Sequence, residues 1–336
     1  MKRNKGILLV IGVFLFSSVS LFSKEPSKMI KEIQDAINAK GAKWVAGETS
    51  VSNLSEEEQM QKVGFNFAPI KAQPITDLDL KAVPSSLDWR DYNGKDYVSG
   101  VRDQGNCGSC WAFSMTAGLE SYVLKTNDMS GQDIDLSEQI MVSCSQAGSC
   151  NGGSLDASYI VDTGLPPESY YPYTQKDGSC SSAKPGWQDN AYRIGSFGSV
   201  SQSVSAIKAA LVKYGPLPTA MMVYNDFMSY KSGIYSYTTG KKLGGHAVFL
   251  VGYNDDGQYF IVKNSWGPNW GENGFFKIAY SEIKSVVRFG LSTIAYKTPN
   301  NGGKEISKRV DVSVDDLSSK DIEKVMPMIQ PAFDWK

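Results

Sequence analysis

A thiol, an imidazole and two side-chain amides are the residues of this chain whose types and spacing could do chemistry. The stretch Gln104-Gly105-Asn106-Cys107-Gly108-Ser109-Cys110-Trp111-Ala112-Phe113-Ser114 carries the first of them. Cys107 and Cys110 form a C-x-x-C, which taken alone suits a redox pair or half of a zinc site. Zinc lacks ligands, because no second C-x-x-C exists and His246, the only His, stands far away in sequence. A redox pair of the thioredoxin kind needs a strand before it, and Asp96 to Asp103 is polar and turn-like. The alternative makes Cys107 a disulfide partner and Cys110 a nucleophile in the first turn of a helix. There, unpaired backbone N–H groups and the positive end of the helix dipole favour thiolate over thiol.

A thiolate nucleophile needs an imidazole to pair with it and later to protonate a leaving group. A lone His is by default an ordinary surface or core residue, but His246 follows Gly244-Gly245 and begins an apolar strand, Ala247 to Tyr253. If the following loop is Asn254 to Gly257, Tyr253 pairs with Gln258 and His246 falls opposite Ser265; a two-residue Asp256-Gly257 turn moves it opposite Gly267. Either register brings Asn264 within one to three residues of His246 across the hairpin. An amide oxygen there accepts the second imidazole N–H and fixes the tautomer without adding charge.

The elements that must position these groups follow from periodicity. Cys110 to Lys125 places Met115, Leu119 and Tyr122 at helical spacing, Ser137 reads as the N-cap of a second helix, and Ser203 or Ser205 starts a third that ends at Gly215-Pro216. Leu217 to Tyr224, Ala247 to Tyr253, Tyr259 to Lys263 and Phe275 to Ala279 are short, apolar and aromatic, as strands are. Helices first and strands afterwards predict an α+β fold.

Composition narrows the rest. The 336 residues carry 34 Lys and Arg against 35 Asp and Glu, a net charge of -1, so no basic field exists for nucleic acid or an anionic membrane. One His excludes any two-histidine metal site, and five Cys leave one thiol over once pairs are made. Lys2, Arg3 and Lys5 precede an apolar run from Gly6 and then small residues, the pattern of a signal peptide cut after Ser20 or near Ser23. Export, to the outside or a periplasm, puts the cysteines where disulfides persist. Residues 21–82 are Lys- and Glu-rich, with Ile33 and Ile37 at helical spacing and a capping box over Ser55 to Glu58, yet too polar for a core of their own. Residues 299–336 read as a linker and a charged tail.

Gln104 to Ser114 resembles the active-site segment of the papain-like cysteine peptidases, whose pattern C-G-[SA]-C-[WY] has its His and Asn about 130 to 150 residues downstream. His246 stands 136 residues after Cys110 and Asn264 stands 154 after. Asn264-Ser265-Trp266-Gly267, Leu136 to Gln139, Cys150-Asn151-Gly152-Gly153 and Tyr171-Pro172-Tyr173 are similar to further motifs of the family, over about residues 83–298. Ile37 to Lys40 and Trp44 to Gly47 resemble the short cathepsin-B-type propeptide.

The resemblance implies a two-lobed fold, one lobe helical and one an antiparallel β-barrel, with the cleft between them. It implies a zymogen of four parts: signal peptide 1–20, inhibitory propeptide 21–82, peptidase 83–298 and tail 299–336. By the same resemblance Cys110, His246, Asn264 and Gln104 are catalytic, with Gln104 the side-chain donor to the oxyanion. Trp266 shields the His–Asn bond, and Cys107 pairs with Cys150 and Cys144 with Cys180. Phe289 stands where relatives carry a further Cys, so a third bridge is not expected. Gly152 and Gly153 would pair with the substrate backbone. Leu155, Ala220, Gly245 and Ile294 would line the pocket for the second residue before the scissile bond, which predicts bulky apolar side chains there. No His is left for an exopeptidase's occluding loop, so endopeptidase action is expected. Expected partners are peptide and protein substrates and the chain's own propeptide, with a monomer, no cofactor and no metal. A binding protein of this fold without turnover is the alternative, disfavoured by the intact Gln, Cys, His and Asn set.

Overall fold

The computed structural model describes residues 26–69, 71–81 and 83–298; the expected signal peptide and the tail 299–336 lie outside them. Helix α1 (Pro26–Lys40) carries Ile33 and Ile37 one turn apart, both buried, and ends at Gly41, whose φ of 61° suits a residue without Cβ. Strand β1 (Lys43–Ala46) follows, then α2 (Glu56–Gln61). The capping box is formed: Glu58 N–H donates to Ser55 Oγ at 3.2 Å and Ser55 N–H to the Glu58 carboxylate at 2.8 Å.

After β2 (Ser86–Asp88) comes α3 (Cys110–Thr126), then α4 (Glu138–Cys144), capped by Ser137, whose Oγ accepts the Ile140 N–H. A small ribbon, β3 (Gly148–Ser149) and β4 (Gly152–Gly153), precedes α5 (Ser158–Asp162). Strand β5 (Ser196–Val200) leads to α6 (Val204–Tyr214), begun by Ser203. Then come β6 (Leu217–Tyr224), β7 (Tyr230–Tyr235), β8 (Lys242–Asn254), β9 (Tyr259–Lys263), β10 (Phe275–Ala279) and β11 (Thr293–Lys297). The α+β order is the one the sequence predicts, and β9 and β10 have the predicted bounds.

Seven strands make one curled sheet in the order β1-β7-β10-β9-β8-β2, with β6 also on β8; β7 and β10 alone run parallel. The long β8 holds the curl, because it pairs with β6 from Lys242 to Leu250, with β9 from Phe249 and with β2 at its end. At its tip the β8–β9 hairpin has the register of the Asp256-Gly257 turn, one of the two expected. Its turn spans residues 255–258, so Tyr253 faces Phe260, and a bulge between Leu250 and Gly252 adds one residue to β8. Gln258, at φ 55°, takes a left-handed turn position, and the bulge then moves the pairing by one residue towards the other expected register, which leaves Asn264 within reach of His246.

Two cores result. Trp111, Met115 and Leu119 of α3 bury against Leu136, Ile140, Ile160 and Leu165 in the helical lobe. Phe227, Leu250, Val262, Trp266, Trp270 and Phe276 fill the sheet lobe. Ile33, Ile37 and Trp44 join the second core, so the N-terminal segment before residue 83, the leader, folds by adding to the apolar interior of the sheet lobe. Each such side chain stabilises by about 1.5–3 kcal/mol when removed from water, which the leader alone could not supply.

Candidate active site

Cys110 begins α3 and is the free cysteine among the described residues; Cys107 is bonded to Cys150 and Cys144 to Cys180. The Cys107–Cys150 bridge and the Gly108 N–H, which donates to Cys150 O at 2.8 Å, clamp the loop before the helix. The N-cap Ser109 makes no side-chain cap: its hydroxyl meets Tyr173 Oη at 2.6 Å, and the N–H groups of Cys110 and Trp111 are left to the Cys110 thiol. Ser114, one turn further on, ties α3 to β8 by donating to Val248 O at 2.7 Å.

His246 lies on β8 in the facing wall. Its Nε2 is 2.8 Å from Asn264 Oδ1, while Nδ1 has no protein partner, and the Ala247 N–H reaches Cys110 Sγ at 3.4 Å. With Nε2–H donated to the amide, the lone pair of Nδ1 faces the thiol side of the cleft. The Trp266 ring stacks on the imidazole at 4.7 Å between centroids and 28° between planes, and both are fully buried. Asn264 follows directly on β9, where the Gly274 carbonyl takes its N–H at 2.9 Å. Gln104, also buried, receives the Ser265 hydroxyl on Oε1 at 2.8 Å, which turns Nε2 towards the cleft. The Cys110 helix and the His246–Asn264 strands thus come together from opposite lobes.

The leader crosses between them. Lys62 O accepts from Gln104 Nε2 at 3.3 Å and from Trp266 Nε1 at 3.2 Å. Gly64 packs so tightly that a Cβ on it would stand 1.9 Å from Gly108 O. Gly153 N–H donates to Gly64 O at 2.9 Å, Asn66 N–H to Gly153 O at 2.8 Å, and Phe65 N–H to Gly245 O at 2.9 Å. Phe65 is buried in the same apolar cluster as Leu155, Ala220 and Ile294. All six residues expected to bind substrate, Gly152, Gly153, Leu155, Ala220, Gly245 and Ile294, lie along or beneath this crossing.

Burial under the leader reverses the titration expected of an open site. Desolvation pushes the Cys110 thiol up to about 11, although N–H groups of Ala247, Gly64, Trp111 and Cys110 itself pull the other way. Desolvation lowers His246 to about 4, against a small opposing effect of the Asn264 bond. In this covered form the pair is neutral thiol and neutral imidazole; the helix dipole that favours thiolate is outweighed by the loss of water.

Four features escape a reading of the sequence: Lys62, Gly64 and Phe65 in the leader, and Ser265, which orients Gln104. Val63-Gly64-Phe65-Asn66-Phe67 is an aromatic island in a polar region, and that contrast was the available signal. A buried ionic group behind the site was equally silent. Lys263, next to Asn264, donates to Ser99 O at 2.8 Å, and Ser99 bonds Glu120, whose carboxyl burial pushes up to about 7. It ties α3 to the end of β9.

Residues 83–292 match the family model described as papain family cysteine protease. The chain belongs to that family. It is 41% identical over 208 residues to a cathepsin L-like proteinase of Fasciola hepatica, an alignment covering 59% of this chain and 61% of the relative. It is 34% identical over 283 residues to cathepsin B-like CP3 of Giardia intestinalis, covering 79% and 93%. The fold matches the digestive procathepsin L2 proteinase of Tenebrio molitor with a TM-score of 0.69 at 29% identity, over 81% of this chain and 89% of that one. That structure is a proenzyme by its description, "digestive procathepsin L2 proteinase". Among the described residues no helix is long and apolar enough to cross a membrane.

Proposed function

We propose that the chain is an exported zymogen of a papain-family cysteine endopeptidase, with signal peptide 1–20, inhibitory propeptide 21–82, enzyme 83–298 and a tail of separate role. The observation that carries it is the facing pair: a free thiol on a helix start and an imidazole whose Nε2 is held by Asn264 while Nδ1 is left over. Binding alone gives no reason for that arrangement.

Once the leader leaves, water returns and the dipole of α3 acts on an exposed thiol, which transfers its proton to His246 Nδ1. Cys110 Sγ attacks the scissile carbonyl carbon. The oxygen takes the electron pair and is met by Gln104 Nε2 and the Cys110 N–H. Collapse expels the amine, which leaves with the proton from His246, and a thioester remains. His246 then takes a proton from water, whose hydroxide attacks the thioester; the acid departs and the thiol is restored. Trp266 keeps bulk water from the His246–Asn264 bond, so the ring holds its orientation as its charge changes.

The preference at the second residue before the scissile bond is for bulky apolar side chains. Support comes from Phe65, which the leader buries beside Leu155, Ala220 and Ile294, with no acid among them. The enzyme works as a monomer on peptides and unfolded or flexible protein segments. Titrating processed protein with a thiol-directed epoxide should give one label per chain, matched by a burst of product and absent in Cys110→Ala. Failure of the unaltered protein to label would make it a binding protein of this fold.

A further inference from the structure

The leader also reports on a part of the cleft for which the sequence offers no motif. Its path has a direction: Lys62 sits at Gln104 and Trp266, Gly64 at Gly108, and Phe65 and Asn66 at the Gly153 strip. Lys62 is therefore on the far side of Cys110 from Gly152 and Gly153. If Gly152–Gly153 hold the acyl half of a substrate, as the proposed function requires and on which this inference rests, Lys62 occupies the ground of the leaving half.

Its side chain is what draws attention. A lysine at a helix end normally extends into water, yet this one is 7% exposed, with Nζ 2.8 Å from Gly105 O and 3.9 Å from Asp103 Oδ1. The notch is firmly built. Asp103 Oδ1 accepts the Gly105 N–H at 2.9 Å, the Gly267 N–H donates to Arg102 O at 3.1 Å, and Tyr173 Oη donates to Gln104 O at 2.8 Å. Gly105 holds φ 57°, which turns its carbonyl towards the cleft. A carbonyl and a carboxylate side by side, both acceptors, suit an ammonium or guanidinium and offer nothing to a carboxylate or an apolar group. All the notch atoms belong to the enzyme, so the notch stays when the leader goes.

We infer that Asp103 and the Gly105 carbonyl form a subsite for a basic side chain, Lys or Arg, in the leaving half of the substrate, within two residues of the scissile bond. The propeptide fills it with Lys62 while running opposite to a substrate, since Lys62 precedes Phe65 in the chain whereas a substrate's leaving half follows its acyl half.

The test uses processed enzyme and internally quenched peptides that differ only at the first or second residue after the cleaved bond, Lys against Gln. At one of those positions Lys should raise kcat/KM roughly five-fold, the scale of a half-exposed charge pair. Asp103→Asn, which retains the acceptor for the Gly105 N–H, should bring the Lys-to-Gln ratio below about two. The ratio is taken on one enzyme, so loss of folded protein cancels. No Lys advantage at either position, or an advantage unchanged in Asp103→Asn, overturns the subsite. Aminomethylcoumarin amides, which have no leaving-half residues, are run beside them. Turnover of these with no Lys advantage refutes the subsite alone; no turnover of either substrate refutes the protease reading, and the subsite with it.

Discussion

The two stretches of the leader grip the enzyme by different physics. Residues 26–61 hold by buried side chains and one strand pairing. Trp44 is buried against Tyr230 and Tyr235, its indole N–H donates to Ser236 O at 3.0 Å, and β1 pairs antiparallel with β7. Residues 62–81 hold chiefly by backbone: Lys62 O, Gly64 O, Phe65 N–H and Asn66 N–H across the cleft, then the Ile75 N–H to Ser199 O at 2.9 Å beyond it. Attachment is thus concentrated away from the chemistry and obstruction is concentrated on it. Lys62 and Phe65 also seat their side chains in the cleft, but the atoms that pass over the nucleophile are backbone.

The sharpest way to separate the two is Gly64→Val. Any Cβ there meets the backbone carbonyl of Gly108, which cannot rotate aside as a side chain would. The crossing should lift while residues 26–61 stay docked. Cys110 then regains water, and its alkylation rate at pH 7 should rise on the order of 10³-fold over the unaltered zymogen, because the thiolate is the reactive form. A rate within ten-fold of the parent would mean that side chains, and not the crossing backbone, cover the thiol.

Trp44→Ala acts on the other stretch. Deleting a buried indole costs about 3–5 kcal/mol, which corresponds to roughly 10²–10³-fold or more weaker inhibition when the leader is added separately to processed enzyme. The crossing contacts are untouched, so the complex should still shield Cys110 fully at saturating leader. Partial shielding at saturation would show that the two stretches act as one.

The pH profile comes next in size. Covering lowers His246 from its ordinary 6.5 to about 4 by desolvation, so the covered form is favoured above 6.5 and loses that advantage as pH falls through 4. Each unit of acidification in that window should favour opening by up to about ten-fold. Cys110 works in the opposite direction: its pKa is raised from 9.0 to about 11, so covering is favoured below 9 and weakened as pH rises through 11. The dissociation rate of a separately added leader should therefore be lowest between those limits. A flat profile from pH 7 to 4 would mean that His246 does not feel the cover.

The same contrast explains what was legible in the sequence. The enzyme's chemistry needs fixed residue types at fixed places, so Gln104, Cys110, His246 and Asn264 stand out, and α3, β9 and β10 follow from strong periodicity. The leader's crossing works through backbone atoms, which every residue has, so its main sequence trace is a glycine in an aromatic island. The Asp256-Gly257 turn sets the β8–β9 register at the tip and is legible, whereas the bulge at Val251 is a local choice without a strong residue signature. The Lys263–Ser99–Glu120 group was missed because three separate elements meet there, and no single window contains it.

The exposed ion pairs mark the lower end of the scale. Lys213 reaches Asp77 at 2.5 Å, and Lys241 reaches Glu56 at 3.5 Å, one pair on each stretch of the leader. Short distance is not strength here: the side chains of the first pair are 40% and 70% exposed and those of the second 77% and 58%, so water and salt screen both. Ordering two long side chains also costs entropy, which offsets most of what attraction remains. Lys213→Ala and Lys241→Ala should each change inhibition by a separately added leader about two-fold or less, with the difference vanishing by 0.5 M salt. A loss above ten-fold for Lys213→Ala would place real binding energy on the stretch after the cleft. The division of labour between attachment and obstruction would then have to be redrawn around Asp77, since backbone pairing at Ile75 would no longer be the chief hold there.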